Sequence, residues 1–216
     1  MAGQSENTLP LEQQLALAHS TGEVTAMLES VLQFDNRLAR FVSKANEPIV
    51  TQLRLAWWRD QLNKPISERP SGDTILDALS AHWEGREAVL VALVDGWEAL
   101  LGEPPLPDDV FAGLCAARAA CFGGIVPQAS IDDAKALGLS WAYADFIART
   151  SDEQERAHLV DLAKQAAPGM GKLKFRYRSL TVLGRLGARA IEQGGSPLLG
   201  RRRDALLVTR IGLLGL

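Results

Sequence analysis

The sequence predicts an all-α fold, a single-domain helical bundle of about eight to ten helices. Two observations support this prediction. Apolar residues recur with helical spacing in successive segments, while the alternating pattern of strands is nearly absent. The helical segments are separated by short connections rich in proline and glycine, and no internal repeat is visible. With 216 residues, of which 47% are hydrophobic, the chain can form one sizeable core.

The first four long helices are placed by their start and stop residues. An apolar stripe with helical spacing runs from Val24 to Val42, and Pro48 disfavours helix in the residue before it. Pro48 is also a favourable first-turn residue for the next helix, and Asp73 is placed to cap a later one. The predicted ranges are 23–46, 48–62, 73–83 and 86–101, after an N-terminal arm of residues 1–20 that contains a short helix.

The C-terminal half is divided by further capping residues and by glycines. Asp108 is expected to begin a helix that carries both cysteines, and Gly123 with Gly124 is expected to end it. Ser130 and Asp133 resemble a capping box that begins the following helix. The later ranges are 130–150, 151–167, 172–193 and 197–214, so residues 21–216 are expected to form one helical domain.

Several classes of protein are disfavoured by composition. No apolar stretch approaches the roughly 20 residues that span a bilayer, and the N-terminus lacks the basic and apolar regions of a secretory signal. Cys115 and Cys121 fit neither a disulfide framework nor a zinc site, and they are interpreted as small buried residues. The three histidines show no ligand spacing. A cytoplasmic protein is therefore expected.

Charge is distributed unevenly along the chain. Residues 169–216 hold ten basic and two acidic side chains, a net charge of +8, whereas residues 1–168 hold 13 basic and 24 acidic ones, a net charge of −11. A basic end on an acidic body indicates either contact with an anionic surface, such as a membrane, or packing of the last helices onto the body itself. Aromatic residues alternate with cations at 172–178, but a helix would spread these charges around its axis, so nucleic-acid binding is not expected.

The most informative segment reads FDNRLARFVSKANEPIVTQLRLAWWRDQL, from Phe34 to Leu62. It resembles the N-terminal region of the squalene/phytoene synthase family, above all in LRLAWWRDQL. The resemblance is closest to the short non-catalytic branch that includes a mitochondrial complex I assembly factor. Weaker similarities follow in the same order at 93–101, 114–125 and 136–150. The resemblance implies an isoprenoid-synthase type of helical bundle with helices around a central cavity.

Active members of that family ionise a prenyl diphosphate with Mg²⁺ held by two aspartate-rich helices. A D-x-x-x-D spacing puts both carboxylates on one helix face. When Phe34 is aligned with the family's aromatic run, Ala39 or Arg40 stands where aspartates belong. The one nearby carboxylate is Asp35, and its i+4 position is Ala39. The first metal motif is therefore predicted to be absent.

The second metal motif is predicted to be absent as well. Its matching run is GLSWAYADFIART, residues 138–150, in which Asp145 falls near an asparagine position of the family. Arg149 or Thr150 falls where the metal-binding aspartate belongs. A shift of one helical turn would bring Asp152 into that position instead. We expect no metal ligands, no facing acidic pairs in the cavity, and an arginine in their place.

The resemblance also suggests candidate binding residues. Basic residues in this region bind diphosphate in active relatives, and the aromatic residues are candidates to line a prenyl or lipid cavity. Trp57 shares a stripe with Ile49 and Leu53 and is predicted to be core. The anion-contact candidates are Arg37, Arg40, Arg54 and Arg59, the cavity candidates are Phe34, Trp58, Trp141 and Tyr143, and Arg37, Arg40 or Arg54 is expected to occupy part of the cavity.

These expectations lead to three hypotheses of function. The preferred one is a catalytically degenerate squalene/phytoene synthase-like protein, not an enzyme, with a binding or assembly role near a membrane. The alternative is an active prenyltransferase that uses Mg²⁺ in isoprenoid biosynthesis. The third is a module that holds an isoprenoid or other lipid without chemistry. A protein partner remains open in the preferred case.

Overall fold

The computed structural model describes residues 8–45, 47–103, 105–166, 171–200 and 202–214. These residues form an all-α domain of ten α-helices without strands, which confirms the predicted fold class. The helices are α1 (Leu11–Ala18), α2 (Glu23–Ser43), α3 (Pro48–Asn63), α4 (Thr74–His82), α5 (Glu87–Ala99), α6 (Asp108–Ile125), α7 (Ile131–Arg149), α8 (Glu153–Ala166), α9 (Arg178–Glu192) and α10 (Arg202–Leu214).

Helix α7 lies at the centre of the bundle, between α6 and α9. Glycines bring these helices close together, since a methyl group on Gly138 of α7 would lie 2.9 Å from the Cα of Ala119 in α6. On the other side, a methyl group on Gly187 of α9 would lie 2.4 Å from the carbonyl oxygen of Ser140. Both distances are shorter than van der Waals contact, so close helix packing here requires glycine.

The remaining helices surround this centre. Helix α5 packs between α6 and α3, and α2 packs against α4, α5 and α6. Helices α1 and α10 both contact α9, so the N-terminal helix belongs to the bundle. None of the described helices is both long enough and apolar enough to cross a bilayer.

Asp73 caps α4 by accepting from the backbone N–H groups of Ile75 and Leu76, which confirms its predicted role.

One predicted helix end was wrong because a tertiary contact overrode the local signal, and one predicted capping bond is absent. Helix α6 continues through Gly123 and Gly124 to Ile125, and a methyl group on Gly124 would lie 2.8 Å from the ring of Trp83. These glycines therefore provide room for packing inside a helix. Ser130 makes no side-chain cap bond, and α7 begins at residue 131 after a 3-10 turn.

The C-terminal helices begin later than predicted. Residues 172–174 are not helical, and a 3-10 turn, Phe175–Tyr177, precedes α9. The basic and aromatic alternation therefore does not form the regular helix that we expected. Helix α9 is largely buried against α7, so one of the two last helices does pack onto the body. Lys172, Lys174 and Arg176 remain exposed to solvent.

Candidate functional site

The four predicted arginines do not converge on one site. Arg37 and Arg54 line a groove of about 460 Å³ between α2 and α3. Arg40 lines a different pocket, between α2 and α7. Arg59 instead pairs with Asp95 and Glu98 on α5, so it joins α3 to α5 across the surface.

The predicted aromatic residues also occupy separate places. Phe34 packs on Trp58 with ring centroids 4.7 Å apart, and Trp58 lines the groove beside α3. Trp141 stacks on Phe122 in the core. Tyr143 is buried, and burial raises its pKa to about 12. These side chains do not enclose one shared cavity.

One face of α3 is apolar and open to solvent, contrary to the prediction for Trp57. Trp57 is 40% exposed, Leu53 66%, Ile49 73% and Val50 39%. The helix is anchored from its other side, by Leu55 and other buried residues, so the stripe that contains Trp57 faces outward. We call this surface, formed by Ile49, Val50, Leu53 and Trp57, the α3 apolar face. Apolar groups this extensive on one helix face indicate a contact surface.

A buried ion-pair cluster occupies the middle of the bundle. The Arg118 side chain on α6 is 1% exposed and donates from Nε and Nη2 to Asp35 of α2, at 2.9 and 2.7 Å. Its Nη1 donates to Asp145 of α7 at 3.0 Å. Arg149 completes the cluster by donating twice to Asp145, at 3.0 and 3.1 Å. The cluster therefore contains two positive and two negative side chains, and its net charge is zero.

Aromatic rings enclose the central guanidinium. Arg118 lies 5.0 Å from the ring centroid of Trp97 and 5.2 Å from that of Trp141. The indole N–H of Trp97 donates to Asp35 at 2.8 Å. Burial alone would lower the pKa of Arg118, but the charges of Asp35 and Asp145 outweigh burial and raise it. Arg118 therefore stays charged, and the void beside it is only about 10 Å³.

Arg118 was missed at the sequence level, although a signal for it exists. It is the one charged residue between Asp109 and Asp132, in an otherwise apolar helix. An isolated charge in such a helix needs a buried partner, because an unpaired buried charge is very costly. The arginine that joins the two acids is Arg118 of α6, and not Arg37, Arg40 or Arg54, the residues expected to occupy part of the cavity.

The residues at the cluster do not fit magnesium. The expectation of no facing acids was wrong, since Asp35 and Asp145 approach each other from α2 and α7. Arg118 bridges them, however, and Arg149 covers Asp145. Magnesium prefers oxygen ligands in octahedral geometry, whereas each carboxylate here already accepts charged donors. Within the part of the chain that the structure describes, no three His, Cys, Asp or Glu residues group as metal ligands.

Both cysteines are buried, as predicted. Burial raises the pKa of Cys115 to about 12, and burial also raises the pKa of Cys121. Since the thiolate is the nucleophilic form, neither residue is prepared for nucleophilic catalysis.

A second pocket, the α2–α7 pocket, has a volume of about 430 Å³ and opens beside the ion-pair cluster. Trp97, whose indole bonds Asp35, forms part of its wall. Its lining residues are Thr8, Pro10, Asn36, Ala39, Arg40, Val42, Ser43, Trp97, Phe146, Arg149 and Thr150. Two of them are arginines and, among these residues, none is acidic.

Comparison with protein-family models, curated proteins and solved structures finds no match to this chain.

Proposed function

We propose that this protein is a catalytically degenerate relative of squalene/phytoene synthases that acts by binding rather than by prenyl transfer. The observation that carries the proposal is the ion pairing of Asp35 and Asp145 with Arg118. Prenyl transfer in that family needs carboxylates free to hold Mg²⁺ around the leaving diphosphate. Here an arginine takes up the charge of both acids, and the space beside it is closed.

The proposal is tested by incubating the full chain with Mg²⁺ and either farnesyl or geranylgeranyl diphosphate. We expect no pyrophosphate release above the rate without protein, because two arginine-paired carboxylates leave no site for the metal. Thermal denaturation of the same sample shows that the protein is folded during the assay. Sustained pyrophosphate release would contradict the proposal and support the prenyltransferase alternative.

The binding role is supported by the α3 apolar face. This face adjoins the groove of about 460 Å³ that is lined by Phe41 and Trp58 as well as by two arginines. Arg54 stacks over Phe41, with 5.6 Å between its Cζ and the ring centroid. Tryptophan and arginine beside protruding aliphatic side chains are typical of peripheral membrane contacts. We therefore propose that the binding or assembly role is carried out at a membrane surface.

Membrane contact is measured by co-sedimentation with vesicles of phosphatidylcholine and phosphatidylglycerol. Replacing Leu53 and Trp57 together by glutamine is expected to lower binding at least about tenfold, because two exposed apolar side chains are lost. Leu11→Gln is the matched control, since Leu11 is similarly exposed (61%) but lies on α1, outside both candidate membrane surfaces. Equal binding by the parent and the double variant would exclude this face.

Replacing Lys172 and Lys174, two exposed cations, tests whether the basic C-terminal region makes the membrane contact instead. If Lys172→Gln with Lys174→Gln removes vesicle binding while the α3 double variant does not, the basic C-terminal region makes the contact.

A further inference from the structure

The α2–α7 pocket combines two cations with apolar walls. Arg40 and Arg149 line it, together with Val42, Trp97 and Phe146. Its volume of about 430 Å³ lies within the usual range of small-molecule sites, which is roughly 300–1,000 Å³. A ligand that fits must therefore carry both a charged head and an apolar part.

The inference about this pocket depends mainly on the side chain of Arg40. Within the described residues its side chain has no ion pair and no hydrogen bond, although it is only partly exposed. The other three candidate arginines are engaged: Arg37 with Asp73, Arg59 with α5 and Arg54 with the ring of Phe41. A guanidinium lining a pocket without an acidic partner is an available anion-binding group.

Arg149 adds a second positive charge on the opposite helix. Two of its nitrogens bond Asp145 at the inner side of the cluster, and the same side chain lines the pocket. Because Arg118 also bonds Asp145, that carboxylate is shared by two cations. Glu12 on α1 is coupled to this cluster: burial raises its pKa, and the charges of Asp145 and Arg149 also act on it, the first raising it and the second lowering it.

We propose that the α2–α7 pocket binds a small single-chain amphiphilic anion, a lipid phosphate or a fatty carboxylate, without any metal ion. The head group pairs with Arg40 and Arg149, and the chain lies against the apolar side chains of the wall. This inference rests on the proposed binding function and specifies the class of ligand. Magnesium is not needed, because guanidinium groups supply the positive charge that a metal supplies in prenyl transfer.

The test is isothermal titration of the full chain in EDTA with decyl phosphate, decanoate and decanol. We expect both anions to bind and decanol to bind at least about tenfold more weakly, since it lacks the charge. Preference for decyl phosphate or for decanoate identifies the head group. Equal binding of decanol would overturn the proposal.

Single-residue variants test whether the ligand binds in the α2–α7 pocket. Arg40→Gln is expected to weaken decyl phosphate binding about tenfold, because it removes a charge-assisted hydrogen bond. Arg86→Gln is the matched control and is expected to bind like the parent, since Arg86 is exposed at the start of α5 and is not among the residues that line either pocket. Arg54→Gln tests the other groove. Glu12→Gln is expected to strengthen binding, because it removes a negative charge near Arg149.

Unchanged binding by Arg40→Gln would overturn the proposal, as would a loss caused by Arg54→Gln alone. Among the residues that the structure describes, the Arg40 side chain has no hydrogen-bond or ion-pair partner to lose, so its variant is expected to keep the parent melting temperature. The titration contains no Mg²⁺ and no diphosphate substrate. If no ligand binds in the titration, the pyrophosphate assay can still support a non-catalytic protein. If pyrophosphate is released, the titration can still show that the pocket binds an amphiphilic anion.

Discussion

Replacement of Arg118 by methionine is expected to lower the free energy of unfolding by about 3–5 kcal/mol, the usual cost of breaking a buried ion pair. Methionine fills much of the same volume, so the main loss is charge pairing rather than packing. Asp35 and Asp145 would then remain buried, with 4% exposed side chains, and without their shared cation. Chemical denaturation monitored by circular dichroism measures the change.

Arg59→Met is the matched control for this prediction. Arg59 also pairs with two acids, Asp95 and Glu98, but these side chains are 53% and 30% exposed. Water already screens such a pair, so we expect a loss of only about 0–1 kcal/mol. Adding Asp35→Asn and Asp145→Asn to Arg118→Met should recover part of the lost stability. Equal effects of Arg118→Met and Arg59→Met would show that the central cluster is not needed for stability.

Replacement of Gly187 by alanine is expected to destabilise the protein by about 2–3 kcal/mol, because the added methyl group overpacks the contact of α9 with α7. The new Cβ would lie 2.4 Å from the Ser140 carbonyl oxygen and 2.7 Å from the Cα of Trp141. Both are backbone atoms, so the two helices must move apart. Since Trp141 lies against Arg118, this displacement also reaches the ion-pair cluster.

Gly113→Ala provides the comparison, since Gly113 is also helical but a methyl group there meets nothing within 4 Å. Alanine is the better helix former, so this change should raise stability by about 0.5–1 kcal/mol. The two variants are compared by thermal and urea unfolding. A Gly187→Ala protein as stable as Gly113→Ala would contradict the close packing of α7 and α9.

The positions of most helices could be predicted from local sequence. The stripe from Val24 to Val42, the proline at Pro48 and the cap at Asp73 all act within a few residues, so they are visible without the fold. The error at Gly124 has a tertiary cause. Glycine normally ends helices, but Gly124 provides space for Trp83, a neighbour that is distant in sequence.

The candidate sites depended more strongly on tertiary structure. Sequence alone determined that this protein is helical and that neither Asp35 nor Asp145 has a second carboxylate four residues further along its helix. Only the packing of α2, α6 and α7 decided that Arg118 joins these two acids, and that Arg40 shares a pocket with Arg149. Helix formation depends on neighbours along the chain, whereas charge pairing depends on distances between helices, which local sequence does not contain.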